Sequence, residues 1–245
     1  MPPRPEDRFF FIHIMKTAGT TFFHHCLAST FTQAEIYPNR QIDPVSDLGE
    51  SAYWRLDHLF ALPPARRAAI RVYAGHFPFF ASQLVDCGLV TITVLRDPVS
   101  RTASYLKHCK ENHPQHHALS LEEIYEDRFF FSRFIENHQT KIFAMTTDNA
   151  DAAFMDAMVM DEQDLDVAKA NLEKVDVLAL HESFEDLPGE LERRFGWSCR
   201  KLGRQRAGQP HSVSADLERR IASDNAIDME FYEFARNLHR EKRKL

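Results

Sequence analysis

Apolar runs bounded by short polar segments mark the strands that the sequence predicts. Residues 8–14 (RFFFIHI) are almost continuously apolar, as in a strand buried on both faces. Residues 90–95 (VTITVL) are rich in β-branched side chains and predict the strongest strand. Residues 71–76 and 176–181 predict two more strands. Because helical patterns lie between these runs, the sequence predicts an α/β fold with a mainly parallel central sheet.

Capping residues and helical periodicity predict a helix-rich C-terminal half. Asp97 and Pro98 suit the N-cap and the first position of a helix. Ser120 and Glu123 have the spacing of a capping box. Residues 31–70 predict no long element, because four prolines interrupt them. The predicted helices cover about 21–30, 79–87, 98 onward, 120 onward, 128–146, 161–174, 184–195, 214 onward and 225–242.

The composition is that of a globular protein, with 44% apolar and 27% charged residues in a chain of 245. Lys and Arg number 30 and Asp and Glu number 36, and the net charge of −6 disfavours binding nucleic acid through the overall field. No uncharged apolar run approaches the ~18 residues of a membrane span. We therefore expect no nucleic-acid partner, no membrane segment and a single domain over residues 1–245.

The cysteine pattern and the N-terminal sequence bear on the cellular compartment. The four cysteines are widely spaced and form no CxxC pair, which is typical of free thiols in a reducing environment. The apolar run near the N-terminus is shorter than the apolar core of a secretory signal peptide. We expect a cytoplasmic protein, and no feature of the sequence indicates an oligomeric state.

A lysine and a group of small polar residues connect the first predicted strand to the first helix. The segment reads Lys16-Thr-Ala-Gly-Thr-Thr21. Unpaired N–H groups at a helix N-terminus favour an anion, and Gly19 would let a phosphate approach the backbone. The segment differs from the nucleoside-triphosphate motif GxxxxGK[ST], because Lys16 precedes the only glycine. It predicts a phosphate site, and the alternative is an ordinary strand–turn–helix connection with a surface lysine.

A second polar motif, LRDPVSRTAS, begins at the end of the strongest predicted strand. Arg96 lies at the carboxyl end of that strand, where ligands of open α/β sheets collect. Ser100, Ser104 and His108 follow at helical spacing and share one face. Arg96 and Ser104 therefore predict a second anion site, with a forked contact from the guanidinium. The alternative is that Arg96 pairs with a carboxylate and Ser104 lies on the surface.

The two motifs together resemble a known enzyme family. FIHIMKTAGTT and VTITVLRDPVSRTASY are similar to the 5′- and 3′-phosphate motifs of sulfotransferases that use 3′-phosphoadenosine 5′-phosphosulfate (PAPS). The closest resemblance is to the heparan sulfate 2-O- and 6-O-sulfotransferases and their bacterial relatives. The family pattern is close to HxPKTAGTS followed later by LRDPVxRxxSxY, and Met15 replaces the usual proline here.

Further segments extend the resemblance over most of the chain, with residues 31–70 the least similar. Tyr73-Ala-Gly-His-Phe-Pro78 resembles the GHxPF segment of the family, and Asn137-x-Gln-Thr-Lys141 resembles its N-x-Q-T-R element. The segment from Asn171 to Trp197 resembles the late strand and helix, and Asn225 to Tyr232 resembles the closing N-x-x-D-x-x-x-Y pattern. The resemblance implies a P-loop-like three-layer domain.

The resemblance also implies roles for individual residues. The residues that would hold the 5′-phosphosulfate are Lys16, Thr17, Ala18, Gly19, Thr20 and Thr21. Arg96 and Ser104 would hold the 3′-phosphate, and His76 lies at the position of the catalytic base. The implied reaction transfers a sulfuryl group from PAPS to a hydroxyl of a carbohydrate or small-molecule acceptor, with Lys16 stabilising the leaving phosphate and no metal required.

Histidine suits the role of base because its ordinary pKa, near 6.5, leaves it largely neutral at pH 7. His24 and His25 follow the phosphate motif, and helix surface is the simpler interpretation of both. If His76 is not the base, His24 or Glu35 is the next residue to test.

Three other groups of residues have a structural and a functional interpretation. The cluster of Cys109 with four histidines suits zinc by residue type, but its spacing fits no familiar closed site, and we expect no metal. Tyr53 and Trp54 would either stack on an acceptor or pack in the core. The basic residues near 200 would either close over the nucleotide phosphates or form a solvated loop. They are Arg200, Lys201, Arg204 and Arg206.

Two other functions compete with sulfuryl transfer. A P-loop-type kinase is disfavoured, because the sequence lacks GK[ST]. A non-catalytic nucleotide-binding protein is disfavoured, because Lys16, His76 and Arg96 are all present.

Overall fold

The structure is a computed structural model, and it describes residues 3–4, 6–39, 41–43, 53, 55–86, 88–148, 158–200 and 213–244. Contacts divide the chain into two compact units. The first contains residues 1–14, 18–94 and 174–203, and the second contains residues 15–17, 95–173 and 204–245. The expectation of a single domain over residues 1–245 stays a prediction.

The first unit is built on a five-stranded sheet in the order β2-β3-β1-β4-β5. All five strands are parallel, which confirms the predicted α/β class with a parallel sheet. The strands are β1 (Phe9–Ile12), β2 (Ile36–Tyr37), β3 (Val72–Tyr73), β4 (Val90–Leu95) and β5 (Val177–Leu180). Every residue of β1 is buried, because this strand pairs with β3 on one side and β4 on the other.

Helices account for most of the remaining described residues. They are α1 (Gly19–Phe22), α2 (Ala28–Thr30), α3 (Leu56–Phe60), α4 (Pro64–Ala69), α5 (Phe79–Leu84), α6 (Pro98–Asn112), α7 (Leu121–Tyr125), α8 (Arg128–Phe130), α9 (His138–Ala144), α10 (Glu162–Glu173), α11 (Leu187–Phe195), α12 (Ala215–Asp224) and α13 (Ala226–Lys242). A π-helical turn at Phe23–Leu27 joins α1 to α2. No helix in the described part of the chain has both the length and the apolar character needed to cross a bilayer.

Several predicted boundaries are confirmed by the capping contacts. The Asp97 side chain accepts a hydrogen bond from the Ser100 N–H and begins α6. Ser120 and Glu123 form the predicted capping box of α7. The Ser214 hydroxyl accepts from Leu217 N–H and begins α12. These contacts satisfy N–H groups that the first turn of a helix leaves unpaired.

Other elements differ from the prediction. The helix predicted over 128–146 is interrupted, because Asn137 has a positive φ of 47° and α9 begins only after it. The strand predicted over 71–76 is limited to Val72–Tyr73. The described part of residues 31–70 has no long element, as predicted, but it does contain the short elements β2, α3 and α4, which were not predicted.

Each unit has its own apolar core. In the first unit, Trp197 packs edge-on against Phe9 of β1, with their ring centroids 4.9 Å apart. In the second, the buried face of α6 carries Tyr105, Leu106 and Cys109, which pack with residues of α7 and α12. The described cysteines, Cys26, Cys109 and Cys199, are free thiols, as predicted.

Candidate functional site

The loop between β1 and α1 has an unusual backbone. Lys16 and Ala18 both have positive φ, at 67° and 82°. Non-glycine residues adopt this conformation rarely, and it persists where the surroundings enforce it, most often at ligand sites. Thr17 is completely buried between them, whereas Thr20 is exposed at the start of α1 and Thr21 is partly buried. The strain indicates that this loop has a role beyond connecting a strand to a helix.

Position 19 requires glycine because of the neighbouring ring of His13. The backbone angles do not require glycine, since Gly19 has helical geometry at the start of α1. A Cβ atom at Gly19 would lie 1.6 Å from Nε2 of His13. No side chain larger than hydrogen fits there unless the imidazole moves. The sequence reasoning assigned Gly19 to a close phosphate contact, and the structure adds this second, steric reason.

His76 follows β3 in the first unit and stacks on His13, with ring centroids 4.1 Å apart. Its Nδ1 lies 2.8 Å from the carbonyl oxygen of His13. Because a carbonyl only accepts, this contact places the proton of the neutral ring on Nδ1 and makes Nε2 the basic nitrogen. The His76 N–H donates to the carbonyl of Tyr53 at 2.7 Å, so both backbone and ring are fixed.

Burial lowers the pKa of His76 to about 4, and the hydrogen bond to His13 opposes this shift only partly. The sequence reasoning used the ordinary value near 6.5, so the structure moves the expected titration to lower pH. At neutral pH the imidazole is therefore uncharged and able to accept a proton.

Lys16 and Arg96 are brought together in the second unit. Nη1 of Arg96 donates to the carbonyl oxygen of Lys16 at 3.1 Å. Desolvation lowers the pKa of Lys16, and the charge of Arg96 lowers it further. Desolvation also lowers the pKa of Arg96. Two partly buried cations that repel one another form a site where an anion would be stabilising.

Arg96 also carries an unused donor. Its Nε is buried and has no hydrogen-bond partner among the residues that the structure describes. A buried donor without a partner costs about 1–3 kcal/mol, so an acceptor oxygen of a bound anion would be stabilising at this position. Among the residues that the structure describes, the guanidinium forms no ion pair, which was the structural alternative, and it donates to the Lys16 carbonyl instead.

The backbone of Arg96 is held by Gln139 from α9. The Gln139 side chain accepts from the Arg96 N–H at 3.0 Å and donates to the Arg96 carbonyl at 2.8 Å. Gln139 is completely buried. It therefore fixes the point where the chain leaves β4 and begins α6.

Asp228 from α13 holds the start of α9 in turn. Its carboxylate accepts from the N–H groups of Gln139 and Thr140, at 3.2 and 2.7 Å, and from the Thr140 hydroxyl at 2.6 Å. Asn137 and Asn225 add two more bonds, since Asn137 N–H donates to the Asn225 side chain and Asp228 N–H donates to the Asn137 side chain. The N-x-Q-T-K and N-x-x-D segments are thus direct partners, and together they support Arg96.

The remaining predicted residues have less specific surroundings. Ser104 is 9% exposed on α6, so it is not the surface residue of the structural alternative. His24 is exposed, and the carboxylate of Glu35 accepts from Thr32 N–H at 2.8 Å, so Glu35 caps its own turn. Arg200 N–H donates to the His25 carbonyl at 2.7 Å. Trp54 and the basic residues Lys201, Arg204 and Arg206 lie outside the described residues.

The cluster of Cys109 with four histidines, which begins in the last turns of α6, provides no metal site in the described ranges. Across these residues, no group of three or more His, Cys, Asp or Glu side chains is arranged to hold a metal ion. His116 is buried instead against the ring of Phe130, with centroids 4.8 Å apart. The expectation that the protein needs no metal stays a prediction.

Sequence reasoning missed two residues of the site. His13 belongs to the HxMKTAGTT segment, and its position directly before the loop was the available signal. Gln139 belongs to N-x-Q-T-K, but nothing in its spacing from Arg96 indicates contact. Comparison of the chain with models of protein families found no match, and comparison with curated proteins found none.

Proposed function

We propose that the protein is a PAPS-dependent sulfotransferase that transfers a sulfuryl group to a hydroxyl of a carbohydrate or small-molecule acceptor. The observation that carries the proposal is the Lys16–Arg96 contact, because it unites the two motifs that resemble the 5′- and 3′-phosphate motifs. A nucleotide with phosphates at two separate positions supplies an anion to each of the two cations. The buried Nε of Arg96 fits an acceptor oxygen on such a ligand.

The P-loop-like identity of the fold is part of this proposal. The strand order β2-β3-β1-β4-β5 makes β1 central, and the strained loop that carries Lys16 follows it directly. Arg96 follows the neighbouring strand β4. Parallel α/β sheets bind ligands at the carboxyl ends of such central strands, which supports a nucleotide site here.

PAPS supplies an activated sulfuryl group, bonded through oxygen to the 5′-phosphate. His76 accepts the proton of the acceptor hydroxyl at Nε2, while the Nδ1–H bond to His13 keeps the required tautomer. The acceptor oxygen forms its bond to sulfur as the bond from sulfur to the phosphate oxygen breaks. Lys16 stabilises the charge that grows on this leaving oxygen, and the products are a sulfate ester and 3′,5′-adenosine bisphosphate.

Calorimetry with 3′,5′-adenosine bisphosphate, adenosine 5′-phosphate and ATP tests the proposal directly. We expect the bisphosphate to bind in the presence of EDTA and more tightly than the other two. Preference for ATP with magnesium would favour a kinase instead. Tight bisphosphate binding with no turnover of PAPS against a panel of hydroxyl acceptors would favour the non-catalytic binding protein.

A further inference from the structure

A cavity of about 450 Å³ lies in the first unit, in a region that the nucleotide motifs do not use. Its walls come from the segment after β2 and from the connection between α3 and α4. The volume falls within the range of ~300–1,000 Å³ that small-molecule sites occupy. Tyr37, the last residue of β2, lies in its wall, so the cavity is at the carboxyl end of the edge strand.

Tyr37, a wall residue of the cavity, contacts the segment that carries His76. The ring of Tyr37 stacks on Phe77, with centroids 6.2 Å apart and planes 13° apart. The Tyr37 carbonyl accepts from Ala74 N–H at 2.7 Å. The residues on both sides of His76 therefore pack on a wall of the cavity.

The two charged side chains that line the cavity, Arg66 and Asp43, form an ion pair with one another. Arg66 donates from Nε to Asp43 at 2.6 Å and from Nη2 to the second Asp43 oxygen at 2.8 Å. Its other contacts are to backbone carbonyls, from Nη2 to Ile36 at 2.9 Å and from Nη1 to Ala34. The Asp43 carboxylate also accepts from the Asn39 N–H at 2.9 Å. The pair presents no net charge and offers little to an anion.

The remaining surface of the cavity is mostly apolar. Ile42, Ala61, Leu62 and Pro63 form much of it. Ile42 is 41% exposed, which is high for a large apolar side chain. A carboxylate or sulfate placed here would lose hydration without gaining a cation, whereas an apolar body would gain contacts. Tyr37 and His58 are the remaining polar residues among those that line the cavity.

We infer that this cavity binds the acceptor, and that the acceptor is an uncharged molecule with a largely apolar body and a hydroxyl group, such as a phenol or an alicyclic alcohol. A sulfated polysaccharide does not fit this chemistry. The acceptor role rests on the proposed function, whereas binding of this class of compound can be measured without PAPS.

Two probes with the same ring system separate charge from shape. 2-Naphthol is neutral at pH 7 and 2-naphthoate is an anion. We expect calorimetry or equilibrium dialysis to show 2-naphthol binding at least about tenfold more tightly than 2-naphthoate. Equal affinities for the two probes, or no binding of 2-naphthol, would overturn the inference.

Matched variants test whether 2-naphthol binds in the cavity. Ala61→Trp fills the cavity from an exposed position, and we expect it to weaken 2-naphthol binding by roughly tenfold or more. Ala68→Trp, on an exposed position of α4 outside the cavity, should bind as the wild type does. Asp43→Asn leaves Arg66 unneutralised and should shift the preference toward 2-naphthoate by about tenfold. Ala61→Trp with wild-type binding would assign the probe to another site.

Affinity for 3′,5′-adenosine bisphosphate, measured on the same proteins, separates this inference from the proposed function. Ala61→Trp should keep the wild-type nucleotide affinity. Nucleotide binding without 2-naphthol binding would overturn the acceptor site alone. Binding of 2-naphthol by a protein that binds no nucleotide would overturn the sulfotransferase proposal and the acceptor role together, and would leave the cavity as a site for this class of compound.

Discussion

The amide of Gln139 closes a two-bond ring with the backbone of Arg96, accepting from its N–H at 3.0 Å and donating to its carbonyl at 2.8 Å. The buried side chain of Gln139 on α9 thus bonds both backbone groups of the residue that follows β4, as the backbone of a neighbouring strand would. Asp228 orients this glutamine by capping α9. The position of the Arg96 guanidinium therefore depends on helices far away in the sequence.

Replacing Gln139 by methionine should loosen Arg96 while keeping the volume of the side chain. Both backbone groups of Arg96 lose their partner, and we expect a loss of about 1–3 kcal/mol in unfolding free energy. Nucleotide affinity at a temperature where the variant is folded should fall roughly tenfold. Gln139→Glu keeps the acceptor for the Arg96 N–H, so its stability and its nucleotide affinity should lie between those of Gln139→Met and the wild type. Gln163→Met, exposed on α10, is the control, and unchanged nucleotide affinity in Gln139→Met would contradict a positioning role.

Replacing Arg96 by alanine should remove the contact to the 3′-phosphate that the proposed function assigns to this residue. A charge-assisted hydrogen bond contributes about 1.5–3 kcal/mol, so affinity for 3′,5′-adenosine bisphosphate should fall by roughly 10–150-fold. Affinity for adenosine 5′-phosphate should change far less, because it lacks the 3′-phosphate. Calorimetry on both ligands measures the difference, with the exposed Arg219→Ala as the charge-matched control. An equal loss of affinity for both ligands would show that Arg96 does not contact the 3′-phosphate.

Lys16→Ala should damage turnover more than binding. In the proposed reaction Lys16 meets charge that grows during transfer, whereas the resting phosphate would also be held by other groups of the loop. We expect kcat in single-turnover transfer to fall by roughly 10²-fold or more, with a smaller change in nucleotide affinity. Lys107→Ala, exposed on α6, should behave as wild type. Weakened PAPS binding with an unchanged kcat would show that the lysine only binds.

The pH dependence of kcat/KM should report the buried imidazole of His76. A base works only when deprotonated, so the rate falls as pH drops through its pKa, which burial lowers to about 4. We therefore expect a nearly constant rate from pH 7 to about 5, followed by a fall. His76→Asn should lose roughly 10²-fold or more at neutral pH and keep its nucleotide affinity. An active His76→Asn with the wild-type profile would exclude His76 as the base.

Gly19→Ala should displace the His13 ring, because the new Cβ would overlap Nε2. We expect a loss of about 1–3 kcal/mol in unfolding free energy and a lower kcat, since His13 holds His76. Gly189→Ala is the matched control, because its Cβ meets nothing within 4 Å, and it should gain about 0.5–1 kcal/mol. Adding His13→Ala to Gly19→Ala should restore stability but not activity. Additive destabilisation in the double variant would contradict the clash.

Patterns within short segments predicted much of the fold. The strand at 90–95 was predicted with its observed bounds, because β-branched residues and flanking polar groups mark it clearly. The elements within 31–70 were missed, because β2 has only two residues and the prolines obscure the short helices. Pro64 proves to be compatible with α4, since it occupies the first turn, where its missing N–H costs nothing.

The sequence predicted the residue types of the candidate site but not their geometry. It predicted Lys16 and Arg96 as the cations of two phosphate motifs. It could not predict their contact, because no local pattern encodes the distance between two loops. The positive φ of Ala18 could not be predicted from the sequence either, since alanine gives no signal for that conformation. The lowered pKa of His76 depends on tertiary burial, which residue type alone does not reveal.

The pairing of β1 has a consequence for the biosynthesis of the chain. Phe9, at the start of this strand, pairs with Val72 and Val90, so its partners are synthesised long after it. Until β3 and β4 leave the ribosome, the segment FFFI has neither of its partner strands and resembles the short apolar strands that associate between chains. A strand that is fully buried in the finished protein is therefore exposed, without its partner strands, during translation.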